Sequence, residues 1–368
     1  MDHENGTSES AILDDWYEDA GRKYTVDQML DVPFWSYELE NATFDKLTHF
    51  EQFFIKCEDI LQHELVAHNY NTFNSFIHFY HNYKNIKKKE NISLVDFIAN
   101  YKTEVSVESL SCVGLALSLI VKLRRANPKH TNCIGLVSCE EVVKDTGSYC
   151  MESPNNVKEH VMVAIRFTIE NDRQGFILLD PGYHVARPII VMNDLAYPHT
   201  GWFTYSSNPN VVKEYCYQVI DDRFIAWKVK ETRNDFVDEW CNLIYAKRAF
   251  TKCLSITEKR SLVFSLKSLV IRDRKGPVAG LYCWMENKHF TVFYNSNGKK
   301  VQEKVAFDHL GSSQVDQLLF RLASFMENRS GIDVTVRSLQ KMMRAFKVAL
   351  TDDEFISQLN VIDKWIES

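Results

Sequence analysis

Glu108-Ser-Leu-Ser-Cys112-Val-Gly-Leu-Ala-Leu-Ser-Leu-Ile-Val-Lys-Leu123 is the most informative stretch of the 368-residue sequence. Ser109 reads as an N-cap, and the run that follows to Leu123 is apolar on nearly every side, the pattern of a helix buried on all faces. Cys112 then falls in the first turn. A thiol there meets the positive end of the helix dipole and free backbone N–H groups, which stabilise a thiolate and an oxyanion formed on a substrate. Taken alone the position favours a small apolar residue packing a buried helix, because free cysteine is among the most buried residue types.

Two segments further along change that balance. His160 opens the apolar run His160-Val-Met-Val-Ala-Ile-Arg-Phe167, and Asp180 closes Phe176-Ile-Leu-Leu-Asp180 just before Pro181-Gly182-Tyr183. If the two runs form an antiparallel hairpin about the loop Glu170 to Gly175, the start of one strand lies beside the end of the other, and His160 meets Asp180 at one edge. With the first turn of the Cys112 helix docked against that edge, nucleophile, base and orienting acid are complete. A histidine at a strand start and an aspartate before Pro-Gly are each common; the ordered trio on helix, strand and strand is specific.

Outward from this core the sequence divides into four stretches. Residues 1–20 hold seven acidic residues and no Lys or Arg, and read as a flexible acidic tail. Residues 21–127 read as a helical lobe that begins near Tyr24 and ends in the nucleophile helix. Its stripes are Phe50, Phe53, Phe54, Cys57, Ile60 and Leu61, and then Phe73, Phe76, Ile77 and Tyr80. Residues 128–235 carry short strand patterns at Cys133–Val137, Val161–Phe167, Gly175–Asp180, Pro188–Val191, Glu214–Ile220 and Arg223–Lys230, a β lobe. Residues 236–368 read as an α/β lid, with strands at Leu262–Ile271, Val278–Glu286, His289–Tyr294 and Lys300–Val305, a turn at Asn295-Ser-Asn-Gly298, and helices at Val315–Met326, Val336–Phe346 and beyond a capping box at Thr351–Glu354.

Composition narrows the function classes. The apolar fraction is 45% and the aromatic fraction 12%, with 23 Phe and 16 Tyr, which excludes a disordered chain. Forty-three basic against 49 acidic residues give a net charge of −6, so no basic excess exists to bind nucleic acid or an anionic membrane. No apolar run is long enough for a membrane span and the opening residues resemble neither signal nor transit peptide, so a cytoplasmic protein is expected. Four Asn-x-Ser/Thr matches are read as chance. The nine cysteines include no C-x-x-C pair, and His63, His68, His78 and His81 lack a third ligand, so no metal site is expected. The run Lys84 to Lys89 reads as a solvated turn.

The order of Cys on a buried helix, His opening a strand and Asp closing the next resembles the papain-like fold of arylamine N-acetyltransferases and transglutaminase-like proteins. Asp180-Pro-Gly-Tyr183 followed by Arg187-Pro-Ile is similar to the Asp-x-Gly-Phe/Tyr turn of the N-acetyltransferases. The resemblance implies an α+β fold with helical lobe, antiparallel β-barrel and α/β lid. It implies Cys112, His160 and Asp180 as the catalytic residues, acyl transfer through an acyl-Cys112 intermediate, and an acyl-CoA such as acetyl-CoA as co-substrate. The acceptor would be an amine or hydroxyl on a small molecule or peptide. Tyr183, Trp202 and Phe203 are the candidates for lining the substrate pocket, against the alternatives of turn residues and loop anchors. The family's Arg-Gly-Gly stretch before the nucleophile is replaced here by Glu108-Ser-Leu-Ser111. That departure, and a long loop between Cys133 and Asn156, keep open a transglutaminase-like hydrolase or amide-exchange enzyme and an inactive binding protein of the same fold.

Overall fold

The structure is a computed structural model describing residues 29–107, 109–149, 158–208, 211–234, 236–296, 299–326 and 332–367. The acidic tail, the helix start at Tyr24 and Cys150 lie outside the described residues. In chain order come β1 (Trp35–Glu38), β2 (Ala42–Thr43), α1 (Leu47–Ala67), β3 (Tyr70–Asn71), α2 (Phe73–Lys87), α3 (Leu94–Asn100) and α4 (Cys112–Ala126). They are followed by β4 (Ile134–Glu140), β5 (His160–Ile169), β6 (Arg173–Leu179), β7 (Ile189–Met192), β8 (Phe203–Asn208), β9 (Val211–Val219), β10 (Phe224–Arg233), β11 (Phe236–Tyr245) and β12 (Arg248–Phe250). The last part comprises α5 (Lys259–Val263), β13 (Leu266–Asp273), β14 (Gly276–Trp284), β15 (His289–Ser296), β16 (Lys299–Ala306), α6 (Ser313–Ser324), α7 (Ile332–Leu350) and α8 (Asp353–Glu367).

The larger sheet runs β7-β6-β5-β4-β11-β10-β9-β8, with β2 added in parallel to β5. Its buried central strands send alternate residues to two opposite faces, both covered. Leu136, Val161, Val163, Ile165 and Leu179 face α1 and α4, while Val137, Met162, Ala164 and Leu178 face a second cluster with Trp227, Tyr215 and Tyr217. Val191 of β7 and Tyr215 of β9 share that second cluster although they stand near opposite ends of the strand order. The sheet is therefore curled into an antiparallel half-barrel; no ladder joins β7 to β8 among the described residues, so the expected full barrel is not closed. The smaller sheet, β16-β15-β14-β13-β3, is covered by α6, α7 and α8.

Three expectations change. The helices before Asn127 do not form a lobe of their own. In α1, Phe50, Phe53, Cys57, Leu61 and Leu65 recur at helical spacing and join α4 in the half-barrel core, whereas Phe73, Phe76, Phe79 and Tyr83 of α2 pack with the lid's Phe346 and Phe355. The boundary at residue 235 falls between paired strands, since β11 is hydrogen-bonded to β10 and to β4 of the half-barrel. The strand expected from Leu262 starts only at Leu266, because the Phe264 N–H bonds the Arg260 carbonyl and closes α5 over Leu262 and Val263.

Candidate active site

The β5–β6 hairpin turns at Glu170–Asp172, with Val163 opposite Leu179, so the first residue of β5 arrives beside the turn that follows β6. His160 Nε2 and Asp180 Oδ2 are 2.9 Å apart, both side chains buried. The other carboxylate oxygen, Oδ1, accepts the Tyr183 N–H at 2.9 Å, so the Pro181–Tyr183 turn folds back onto the acid that orients the histidine. One oxygen positions the ring and the other positions the chain.

Cys112 is the first residue of α4, and the cap is Ser111 rather than Ser109. The Asn71 N–H bonds the Leu110 carbonyl at 2.9 Å, which ties the chain to β3 and delays the helix until Ser111. The Ser111 hydroxyl accepts the Val113 N–H at 3.1 Å and donates to Glu258 Oε2. Gly182 closes the third side: a β-carbon built on it would lie 2.6 Å from Cys112 Cβ and 2.8 Å from His160 Cε1, so Cys112 and His160 press on one glycine. Since Nε2 is taken by Asp180, Nδ1 is the ring nitrogen left for the Cys112 thiol. Burial by itself disfavours the imidazolium, but the Asp180 carboxylate and the Cys112 thiol outweigh it and hold the His160 pKa well above the ordinary histidine value. The arrangement can store a proton on the imidazole while the sulfur attacks.

Around the trio, Tyr183 sets its ring edge-on to His160 at 4.7 Å and to Trp227 at 4.8 Å. Its phenol is pushed well up by burial and then by the Glu141 carboxylate. Arg272 of β13, buried, donates to the Pro181 carbonyl at 2.5 Å and to the His68 carbonyl at 2.6 Å, and lies 3.3 Å from His184 Nδ1. Burial and this guanidinium hold His184 well below the ordinary histidine range, so its imidazole is neutral. Tyr70 stacks edge-on against His184 at 5.2 Å, and its phenol is raised by burial and by the charges of Cys112 and Glu258. Glu258 itself is pushed up to about 7 by burial.

Of the residues expected to line a pocket, only Tyr183 touches the trio. Trp202 is 49% exposed, and Phe203 packs on Tyr215 and Tyr217 with the Arg187 guanidinium over its ring. Arg272 and Glu258 were not singled out by the sequence; an arginine in a strand and a glutamate before a short helix carry no motif. The remaining described cysteines are all raised by burial first, Cys57 and Cys283 to about 12 and Cys133 to about 11, the behaviour of packing residues. Among the described residues no group of His, Cys, Asp and Glu could hold a metal ion, and no helix is long and apolar enough to cross a membrane.

No family model and no curated protein matches this sequence. Among solved structures, the chain is similar to the crystal structure of Nocardia farcinica arylamine N-acetyltransferase, at 11% sequence identity and a TM-score of 0.42, over 83% of this chain and 89% of that one.

Proposed function

We propose that the protein is a thiol-dependent acyltransferase that moves an acyl group from a thioester such as acetyl-CoA to an amine or hydroxyl acceptor through an acyl-Cys112 intermediate. The observation that carries this reading is the buried His160–Asp180 pair at 2.9 Å, set against the first residue of a capped helix that is a cysteine. Cys112 Sγ attacks the thioester carbonyl carbon while His160 Nδ1 accepts the thiol proton. The tetrahedral adduct collapses with loss of the donor thiolate, which takes that proton from the imidazolium. The acceptor then attacks the acyl carbonyl carbon while His160 removes its proton, the carbon–sulfur bond breaks, and the imidazolium returns the proton to Sγ to regenerate the free thiol. Asp180 stabilises the imidazolium in both halves and fixes the ring. The helix N-terminus supplies backbone N–H groups for the oxyanion.

Tyr183, fixed against His160, would form one wall for the acyl group. A cytoplasmic setting, with CoA thioesters at hand and thiols reduced, suits the eight described cysteines, all free. Intact-mass measurement after incubation with a panel of acyl-CoA donors tests the reading: the mass of one acyl group should appear on Cys112 and be absent in Cys112→Ala. Unlabelled wild-type protein with all donors, or turnover that survives Cys112→Ala, refutes it. Release of ammonia or cleavage of a peptide without acyl-CoA labelling would assign the same trio to amide hydrolysis or exchange.

A further inference from the structure

A cavity of about 650 Å³ opens between α2, the linker from α3 to α4, the π-helical turn Leu254–Glu258 with α5, and α7. Cys112, His160 and Asp180 are not among the residues that line it. Its floor is Glu258, only 2% exposed, with Leu262 and Met342 beside it, and the exposed His78, His81 and Lys341 stand at its rim. The volume is that of a small-molecule site.

The floor is chemically unusual. The Glu258 carboxylate accepts from the Ser111 hydroxyl and feels the charge of the buried Lys267. Burial outweighs both partners and disfavours the charged carboxylate, so a cation that entered the cavity would add compensation that a neutral ligand would not. Leu262, Met342 and the half-buried Ile77 provide apolar wall for a short hydrocarbon body. We propose that this cavity is a binding site, separate from the thiol, for a small primary amine whose ammonium pairs with Glu258.

The experiment uses the full-length chain without acyl donor, with n-hexylamine as probe and n-hexanol as its uncharged counterpart, followed by titration calorimetry at about pH 8, where both ammonium and carboxylate are ionised. Saturable hexylamine binding is expected, with hexanol weaker by about tenfold or more and Glu258→Gln weakening the amine by about tenfold or more while keeping an acceptor for Ser111. Ser338→Trp, at an exposed lining position away from Glu258, should block the cavity and abolish binding, and it decides the matter if Glu258→Gln fails to fold. Absence of hexylamine binding, equal affinity for hexylamine and hexanol, or unchanged affinity in Glu258→Gln or Ser338→Trp would overturn the proposal. Cys112→Ala should bind hexylamine with wild-type affinity. This result separates the cavity from the acyl chemistry, and loss of binding in that variant would overturn the proposal too.

Discussion

Gly182→Ala asks whether the contact between nucleophile, base and turn is functional. The added β-carbon would stand 2.6 Å from Cys112 Cβ, 2.8 Å from His160 Cε1 and 3.0 Å from Cys112 Cα. Carbon atoms pack at about 3.5–4.0 Å, so something must retreat by about 1 Å. Each neighbour is held. Cys112 begins a helix capped through Ser111 and Glu258, and His160 is paired with Cys139 of β4 and bonded to Asp180. The turn itself is held by Arg272 on the Pro181 carbonyl and by Asp180 on the Tyr183 N–H. A displacement of about 1 Å between reacting groups costs about 100-fold in rate, whereas local overpacking costs about 1–3 kcal/mol of stability. The assay is the second-order rate of Cys112 alkylation by iodoacetamide, together with acyl-adduct formation from the active donor, on protein whose thermal melt remains cooperative. Both rates should fall, the acylation by about 100-fold. Wild-type rates in a folded Gly182→Ala protein would refute the packing argument.

Asp180→Asn keeps an acceptor for Tyr183 but removes the charge that sustains the imidazolium. The rate of Cys112 alkylation by iodoacetamide near neutral pH should fall, and an unchanged rate would show that the pair does not act on the thiol. Arg272→Gln frees the Pro181 carbonyl and the His68 carbonyl, and is expected to slow acylation while leaving the far-UV spectrum intact; equal rates would reduce Arg272 to a packing role. Glu258 titrates near 7 in the folded chain against the usual 4.5, so the folded state holds the proton more tightly and loses stability as pH rises from 4.5 through 7. At about 1.4 kcal/mol for each pH unit, Glu258→Gln should be no more stable than wild type near pH 4 and about 3 kcal/mol more stable near pH 8 in denaturant titrations; a difference independent of pH would contradict the burial of the charge.

The trio was legible because each member sits on a local signal: a serine and an apolar run for α4, and alternation broken by a polar residue at each end of the β5–β6 hairpin. A hairpin fixes its own register, so a short loop was enough to place His160 beside Asp180 without knowledge of the rest of the chain. Lobe membership was less legible. The stripes of α1 and α2 look alike, and only the partners distinguish them, Phe167 for Phe50 and Phe346 for Phe73. Periodicity says which face is buried and never against what. Strand β11 was missed because its first half, Phe236 to Glu239, is exposed, and its alternation is legible only once β10 lies beside it.

Arg272 and Glu258 show why the support of the site was hidden. Arg272 lies 91 residues from Pro181 and Glu258 lies 147 from Ser111, separations that no motif spans. Arg272 also reaches the site from outside the half-barrel, whereas Glu258 stands on a turn whose Leu254 and Ile256 pack in the half-barrel core. Arg272 belongs to β13 of the smaller sheet, and β13 pairs with β3, whose Asn71 N–H holds Leu110 just before the Cys112 helix. The helix, the histidine and the aspartate therefore share one core, but the turn and the helix start that set their spacing are pinned from the other. It follows that loosening the contact between the two cores should act on Cys112 reactivity before it acts on the stability of either. Substitutions along β3 and β13 are the ones that would separate the two effects.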